Sequence, residues 1–194
     1  MQKTTLAELA KMAKAAKGSI DRLYIHWTAG HYDSVFGDYH INITGAGETY
    51  LSTDDLTEVL AHTWHRNTGA IGIALCCCVD ATINCDGTFS FGSEPPTDLQ
   101  IEKTAQVIAV LADVLGLPID AEHVMTHAEV GDIDGYGPAE IGTKDFEKWD
   151  LWQLIDYDGE WRGGGEVLRG KANWYLCGPG ATMKNEIPRP LSSE

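Results

Sequence analysis

The chain has 194 residues, 43% of them hydrophobic and 22% charged, as expected for one globular domain with a sizeable core. Against 14 Lys and Arg stand 29 Asp and Glu, which gives a formal net charge of −15 at pH 7. This balance argues against binding to nucleic acid, which needs a cationic face, and against docking on an anionic membrane. No apolar run approaches the roughly 20 residues that span a bilayer, so we expect no stable membrane insertion.

The N-terminal segment predicts a short helix over residues 4–17. Thr5 and Glu8 form a capping-box pattern, and Gly18 supplies the stop. Lysines are interleaved with the apolar residues here, and the segment lacks the compact apolar stretch and cleavage site of a secretory signal. We therefore expect synthesis and folding in a cytoplasm, that of a bacterium or of a phage host.

Four strand-like segments follow. Residues 21–28 alternate, with Leu23, Ile25 and Trp27 on one face and Tyr24, His26 and Thr28 on the other. Residues 39–43 and 48–52 read as the two strands of a hairpin. Residues 70–79 form a continuous apolar run, which is typical of a central strand covered on both faces.

The second half begins with a stretch rich in turn formers and a helix that Thr97 caps and Gly116 and Pro118 end. A short strand over 123–126, a polar glycine-bearing loop and a final helix over 146–155 are expected next. This order predicts an α/β fold with a central mixed β-sheet flanked by helices. We divide the chain into an N-terminal helix (1–20), a main domain (21–157) and a C-terminal extension packed on it (158–194).

Aromatic residues stand out in the extension. Trp161, Trp174 and Tyr175 could stack on sugar rings, but the favoured interpretation is that they fix the extension against the domain.

The five cysteines include three consecutive ones, Cys76, Cys77 and Cys78. Neighbours on a strand point to opposite faces, so they do not pair easily with one another, and no CxxC spacing indicates a structural zinc site. We interpret them as reduced apolar residues of a core strand. A cysteine hydrolase would need a Cys–His pair that the sequence does not demonstrate.

Metal-ligating side chains occur in three separate segments, as His26, His127 and Asp150. Two imidazoles and a carboxylate with an open fourth position are typical of a catalytic zinc site. On spacing alone, His26 could equally be a histidine satisfied at a strand end and Asp150 a charge on a helix face.

Five ordered motifs strengthen the metal interpretation. They are LYIHWTAG (23–30), DYHINITGAGETY (38–50), AHTWHRNTGAIGIAL (61–75), THAEV (126–130) and KWDL (148–151). In this order they resemble the zinc-dependent N-acetylmuramoyl-L-alanine amidases, the family that includes phage endolysin amidases and peptidoglycan recognition proteins. The resemblance extends from about Leu23 to Leu154 and implies that family's fold, activity and peptidoglycan substrate.

Carried over position by position, the resemblance implies Zn²⁺ held by His26, His127 and Asp150. Tyr39 matches a tyrosine whose hydroxyl faces the metal-bound water, and Lys148 matches a lysine that stabilises the developing oxyanion. The positions that line the substrate groove are His62 and Asn67. His40 is expected on the opposite side of the hairpin from Tyr39, as a groove or packing residue.

Residue chemistry leaves alternatives for two of these positions. Lys148 could be a solvated charge on a helix, and Tyr39 could be a core residue of the hairpin.

The sequence departs from the family pattern at two places. Many members carry a glutamate in the strand read as IGIAL, where this chain has Ala74. Glu129 is then a candidate base or, by preference, a partner that orients a zinc ligand, and Tyr39 and the zinc-bound hydroxide are the other candidates for the proton acceptor. The loop between His127 and Asp150 is also long, and it predicts a lid or groove wall in which Tyr136 contacts substrate. Deleting residues 132–142 is expected to impair substrate use and to spare zinc binding.

The leading functional prediction is a zinc amidase that cleaves the bond between N-acetylmuramic acid and L-alanine. Without a signal segment, it would be a phage or prophage endolysin released onto the wall after synthesis. The alternative is a non-catalytic peptidoglycan-binding module on the same fold, although such relatives commonly lose the third ligand. The sequence leaves the oligomeric state open.

Overall fold

The computed structural model describes residues 1–177 as a central six-stranded mixed sheet with helices around it. The strands are β1 (Gln2–Thr4), β2 (Arg22–Trp27), β3 (Ile41–Ile43), β4 (Thr49–Leu51), β5 (Ala70–Leu75), β6 (Thr82–Ile83), β7 (Phe89–Ser90), β8 (Val124–Thr126), β9 (Gln153–Ile155) and β10 (Trp161–Gly163). The helices are α1 (Leu6–Ala16), α2 (Asp98–Leu115), α3 (His127–Asp134) and α4 (Gly164–Cys177), with a 3-10 turn at Pro138–Glu140.

The central sheet has the order β1-β4-β3-β5-β2-β8, and two small antiparallel hairpins, β6-β7 and β9-β10, lie outside it. Strand β2 is parallel to both neighbours, β5 and β8, whereas β3 and β4 form the predicted antiparallel hairpin. The α/β fold class and its mixed sheet are therefore confirmed.

The two faces of β2 serve different purposes, as its alternation predicted. Leu23 and Ile25 belong to the main hydrophobic core, together with residues of α1, α2 and α4. Tyr24 belongs to a smaller cluster, and its neighbour His26 has no exposed surface. The alternation thus separates a helix-covered face from a face that carries polar side chains.

Helices α1 and α4 both pack against α2, and all three contribute residues to the main core on the apolar side of the sheet. Capping boxes begin α1 at Thr5 and α2 at Thr97, as predicted, and a left-handed Gly116 ends α2. None of the helices in residues 1–177 is long and apolar enough to cross a membrane.

Several predicted elements differ from the structure. The helix over 146–155 is wrong: this segment is a turn followed by β9, and Leu151 has a φ of 58° that interrupts helical geometry. The polar loop after His127 begins with helix α3 instead. Strand β1 was not predicted, and β5 ends at Leu75, so Cys76–Cys78 follow the strand rather than form its end.

The extension contains helix α4, which the sequence analysis did not predict. Leu168 and Ala172 are fully buried in the main core, and the Tyr175 hydroxyl donates to Glu102 of α2 at 2.6 Å. Trp161 packs against Phe89 and Phe91 in the hairpins. The domain boundaries at residues 20 and 157 stay predictions, and residues 178–194 of the extension lie outside the described part.

Candidate functional site

Three predicted ligand residues meet at one edge of the sheet. The Nδ1 atoms of His26 and His127 are 3.1 Å apart, and each lies 3.2 Å from a carboxylate oxygen of Asp150. Tetrahedral zinc with bonds of about 2.0–2.1 Å places its ligand atoms about 3.3 Å apart. The three donors therefore have the chemistry and the spacing of a zinc site with a free fourth position.

Strand register explains why the two histidines meet. Ile25 of β2 pairs in parallel with Thr126 of β8, so both histidines directly follow this pair, His26 within β2 and His127 as the first residue of α3. The Thr126 side chain accepts a hydrogen bond from the Glu129 amide and starts α3, which turns the chain away directly after the strand. Parallel pairing and a capping box thus place both rings at the same edge.

Asp150 reaches the site from a segment without regular secondary structure. Its backbone carbonyl accepts a hydrogen bond from the Ala128 amide in the first turn of α3, at 3.3 Å. The next residue, Leu151, is fully buried, and its backbone adopts the left-handed conformation with a φ of 58°. These contacts hold a carboxylate that sequence reasoning had placed on a helix.

The electrostatics favour the protonation states that a metal needs. Burial alone would raise the pKa of Asp150, but the charges and hydrogen bonds of His127 and His26 outweigh it and hold the pKa below its usual range. Burial lowers the pKa of His26 to about 4, although the hydrogen bond with Asp150 opposes the shift. At neutral pH the site thus offers a carboxylate and at least one neutral imidazole.

A cleft of about 780 Å³ opens over this cluster. Seven of the predicted site residues line it: Tyr39, His62, Asn67, His127, Tyr136, Lys148 and Asp150. Eight further residues complete the lining: Trp27, Thr28, Ala29, Asp38, Ala61, Trp64, Glu147 and Trp149. The structure therefore brings the motifs together around one concave surface.

Tyr39 and Lys148 both line the cleft but have different properties. The Tyr39 ring centroid is 5.1 Å from that of His26, and burial raises the pKa of its hydroxyl well above the usual value. Tyr39 therefore keeps its proton and can donate a hydrogen bond. Lys148 is 41% exposed, and its Nζ is 3.0 Å from Glu147, so its ammonium is accessible from the cleft.

His40 does not line the cleft. Its ring is fully buried behind His62, with Nδ1 accepting from the Gly72 amide at 3.0 Å and Nε2 facing the Glu58 carbonyl at 2.8 Å. Both ring nitrogens are used by backbone groups, so the substrate-binding prediction for His40 is corrected to a packing role.

Glu129 is also placed away from the reacting centre. Its two carboxylate oxygens accept from Arg169 at 2.8 and 2.9 Å, and one also accepts from the Thr126 amide. Both oxygens are engaged in joining α3 to α4 and capping α3. This geometry corrects the prediction that Glu129 acts as a base or orients His127.

The position where many family members carry glutamate is fully buried here. Ala74 pairs with His26 across the parallel β5–β2 ladder and places only a methyl group beside the ring. Among the described residues, Asp38 and Glu147 are the carboxylates that line the cleft besides Asp150.

The consecutive cysteines lie outside the cleft lining, and all three are fully buried. Burial raises the pKa of the Cys76 thiol to about 12 and also raises that of Cys77. A thiolate nucleophile is therefore strongly disfavoured at neutral pH, which argues against the cysteine-hydrolase alternative.

Sequence reasoning missed two functional candidates, Thr63 and Trp64, in the loop that the predicted residue Asn67 closes. Asn67 accepts from the amides of His62 and Thr63, at 3.2 and 2.7 Å, and so closes the loop on itself. Thr63 is buried against His26, whereas Trp64 is 70% exposed at the edge of the cleft. No spacing rule would have identified Thr63, but a tryptophan in a polar loop next to a motif histidine was a usable signal.

Comparison with known proteins agrees with this site. The family model described as N-acetylmuramoyl-L-alanine amidase matches residues 16–140. The chain belongs to this family. The match contains His26 and His127 and ends before Lys148 and Asp150, whose assignment to the same site rests on the geometry above. The family identifies the chain as an amidase of peptidoglycan.

Among solved structures, the chain is similar to an endolysine N-acetylmuramoyl-L-alanine amidase, LysCS, from Clostridium intestinale URNW. The similarity has a TM-score of 0.41 and 18% identity, and covers 58% of this chain and 71% of that one. No curated protein matches the chain.

Proposed function

We propose that the protein is a zinc-dependent amidase that hydrolyses the bond between the lactyl group of N-acetylmuramic acid and L-alanine of the stem peptide. The observation that carries this proposal is the cluster of His26, His127 and Asp150, whose ligand atoms are 3.1–3.2 Å apart beneath an open cleft. Family membership supports the substrate, and the donor set supports the metal.

Zinc at this site would supply a Lewis acid for the scissile carbonyl and a water of lowered pKa. Lys148 would place a positive charge next to the oxygen that becomes negative in the tetrahedral intermediate. Tyr39 would donate a hydrogen bond to the same region, since its raised pKa keeps the phenol protonated. Each such donor typically contributes a few kcal/mol to the transition state.

The proton released during attack needs an acceptor, and Ala74 cannot provide one. Asp38 and Glu147 are the cleft carboxylates outside the metal cluster. Of the two, Glu147 is engaged with Lys148 at 3.0 Å, so its own charge also tempers that of the lysine. We propose that the base is one of these two residues, which D38N and E147Q variants distinguish through loss of the acidic limb of the rate profile.

The cleft also carries a surface suited to the glycan. Trp64 exposes most of its indole ring at the edge, and aromatic faces pack well on the apolar faces of sugar rings. The Arg66 guanidinium joins this loop to α3 through two contacts of 2.6 Å with Asp134. A bidentate pair of this kind holds the loop that carries Trp64 against the end of α3.

The test is turbidity loss of purified cell walls, with and without chelator, followed by end-group analysis. We expect new N-terminal alanine, no new reducing sugar, and recovery of activity on zinc addition. D150N should lose both zinc and activity, and D113N, which removes an exposed carboxylate from α2, should lose neither. Full activity and zinc content in D150N would refute the ligand assignment.

Wall binding without release of alanine would instead identify the non-catalytic module. The proposal includes use as a phage or prophage endolysin that acts on the wall after release from the cytoplasm. Lysis of intact cells by the protein only when a pore-forming partner is co-expressed would support that part.

A further inference from the structure

A hydrogen-bonded chain of three side chains extends from the three candidate metal ligands into the protein. Nε2 of His26 lies 3.3 Å from the Thr63 hydroxyl, and that hydroxyl lies 3.0 Å from Nδ1 of His62. All three side chains are buried, with Thr63 only 1% exposed. This chain uses Nε2 of His26, whereas the contacts of His26 with His127 and Asp150 use Nδ1.

The direction of the chain follows from its chemistry. His26 presents Nδ1 to the other two ligands, so its lone pair faces the metal position and its proton must be on Nε2. That N–H then donates to the Thr63 hydroxyl, which has one proton of its own to give. The remaining acceptor is Nδ1 of His62, so the order is His26 to Thr63 to His62.

We propose that Thr63 is a positioning residue that fixes the tautomer and ring orientation of His26 for metal binding, with His62 fixing the Thr63 hydroxyl in turn. The inference rests on the zinc site of the proposed function. Ligating histidines commonly donate their second N–H to a carboxylate, a carbonyl or a water, and a partner's removal typically costs 10–100-fold in metal affinity. Here a threonine hydroxyl takes that place.

The surrounding sheet is shaped to hold this chain. The His62 ring lies over Gly72 of β5, where an added Cβ would be 2.6 Å from Cγ of the ring. The rings of His26, His40 and Tyr24 surround it at centroid distances of 5.4, 5.5 and 6.2 Å. His62 therefore has little freedom to turn, and its Nδ1 remains directed at Thr63.

The test compares T63V with T63S. Valine keeps the shape of threonine but cannot accept from His26, whereas serine keeps the hydroxyl. We expect T63V to weaken Zn²⁺ binding about 10–100-fold in competition with a fluorescent chelator, and T63S to stay close to the wild type. T104V is the matched control, because Thr104 is also fully buried and its hydroxyl has no hydrogen-bond partner within residues 1–177.

A spectroscopic measurement separates orientation from packing. Cobalt(II) in the site should show a changed visible d–d spectrum in T63V and a wild-type spectrum in T63S and T104V. If T63V does not fold, T63A supplies the same comparison without a β-branched side chain.

The outcomes distinguish the two levels of inference. Wild-type protein that binds neither Zn²⁺ nor Co²⁺ would overturn the proposed function itself. Tight metal binding by the wild type, with equal affinity and an equal cobalt spectrum in T63V, would overturn only the role of Thr63. Weaker metal binding in T63V together with wild-type binding in T63S supports the hydrogen-bonded series from His26 through Thr63 to His62.

Discussion

Replacing Gly72 with alanine tests how tightly the sheet and the histidine chain are fitted. The added Cβ would lie 2.6 Å from Cγ, 2.7 Å from Cδ2 and 3.0 Å from Nδ1 of His62. Strand β5 is paired on both sides, with β2 and β3, so its backbone has little room to move away. The imidazole must therefore shift, although three other rings surround it.

The expected cost follows from two opposing effects. Overpacking a filled interior typically costs 1–3 kcal/mol, whereas replacing a strand glycine by alanine returns about 0.5–1 kcal/mol of backbone entropy. We therefore expect G72A to lower the free energy of unfolding by about 1–2 kcal/mol. For a domain of this size, that corresponds to a fall in Tm of roughly 2–8 °C.

The assay is urea unfolding followed by tryptophan fluorescence, together with Zn²⁺ affinity. G170A is the control, because Gly170 lies within α4 with no atom close to its added Cβ, and this variant should gain about 0.5–1 kcal/mol. In the H62A/G72A double variant, most of the cost of G72A should disappear, since the clashing ring is gone. A G72A variant with unchanged stability and zinc affinity would refute the reasoning.

Three further predictions concern thiols, an ion pair and pH. Because burial raises the pKa of Cys76 to about 12, iodoacetamide should leave hydrolysis unchanged while a chelator abolishes it; inactivation by the alkylating agent alone would contradict the metal assignment. E129Q should lower the free energy of unfolding by about 1–2 kcal/mol, because it weakens the contact with Arg169, and it should leave kcat essentially unchanged. A large loss of kcat would restore Glu129 as a candidate base. In metal-free protein, burial lowers the pKa of His26 from 6.5 to about 4, so between these values the unfolded chain binds a proton that the folded chain does not. Stability should therefore be complete above pH 6.5 and fall towards pH 4, by about 3 kcal/mol from His26 alone. Burial also lowers the pKa of His62 and of His40, which adds to the loss in the same direction, and equal urea midpoints at pH 7.5 and 4.5 would contradict this.

The elements that the sequence predicted correctly have a strong local signal. Helix α2 has apolar residues spaced by three and four, a capping box and a glycine stop, and β2 alternates over six residues. Each pattern is contained in the segment and agrees with the tertiary environment, so little else was needed.

The segment 146–155 shows why a similar pattern can mislead. Its aromatic and aliphatic residues recur every three positions, as on a helix, but Trp149 packs against Trp27 and the chain then reverses at Leu151. The segment is fixed by contacts with distant strands and by Asp150 at the metal cluster. Periodicity carries no information about such contacts.

The candidate site also has a part that the sequence predicted and a part that it did not. The ligand residues and most cleft residues could be placed from the family motifs, because those motifs contain the ends of β2 and β8. The contacts that hold His40 and Glu129 involve Glu58 and Arg169, which lie 18 and 40 residues away along the chain. Partners so distant in sequence can be identified only in the folded structure.

The segment between His127 and Asp150 holds the backbone next to the candidate metal ligands, which a lid would not do. The Tyr136 carbonyl accepts from the amides of both Glu147 and Lys148, at 2.9 and 3.1 Å, and the Tyr136 amide donates to Gly131 in α3 at 2.8 Å. These bonds fix the backbone two residues before Asp150. Deleting residues 132–142 would remove the carbonyl that holds this backbone, so the structure predicts loss of zinc binding together with loss of hydrolysis. That expectation replaces the earlier one, in which substrate use alone would suffer, and zinc content of the deletion variant decides between them.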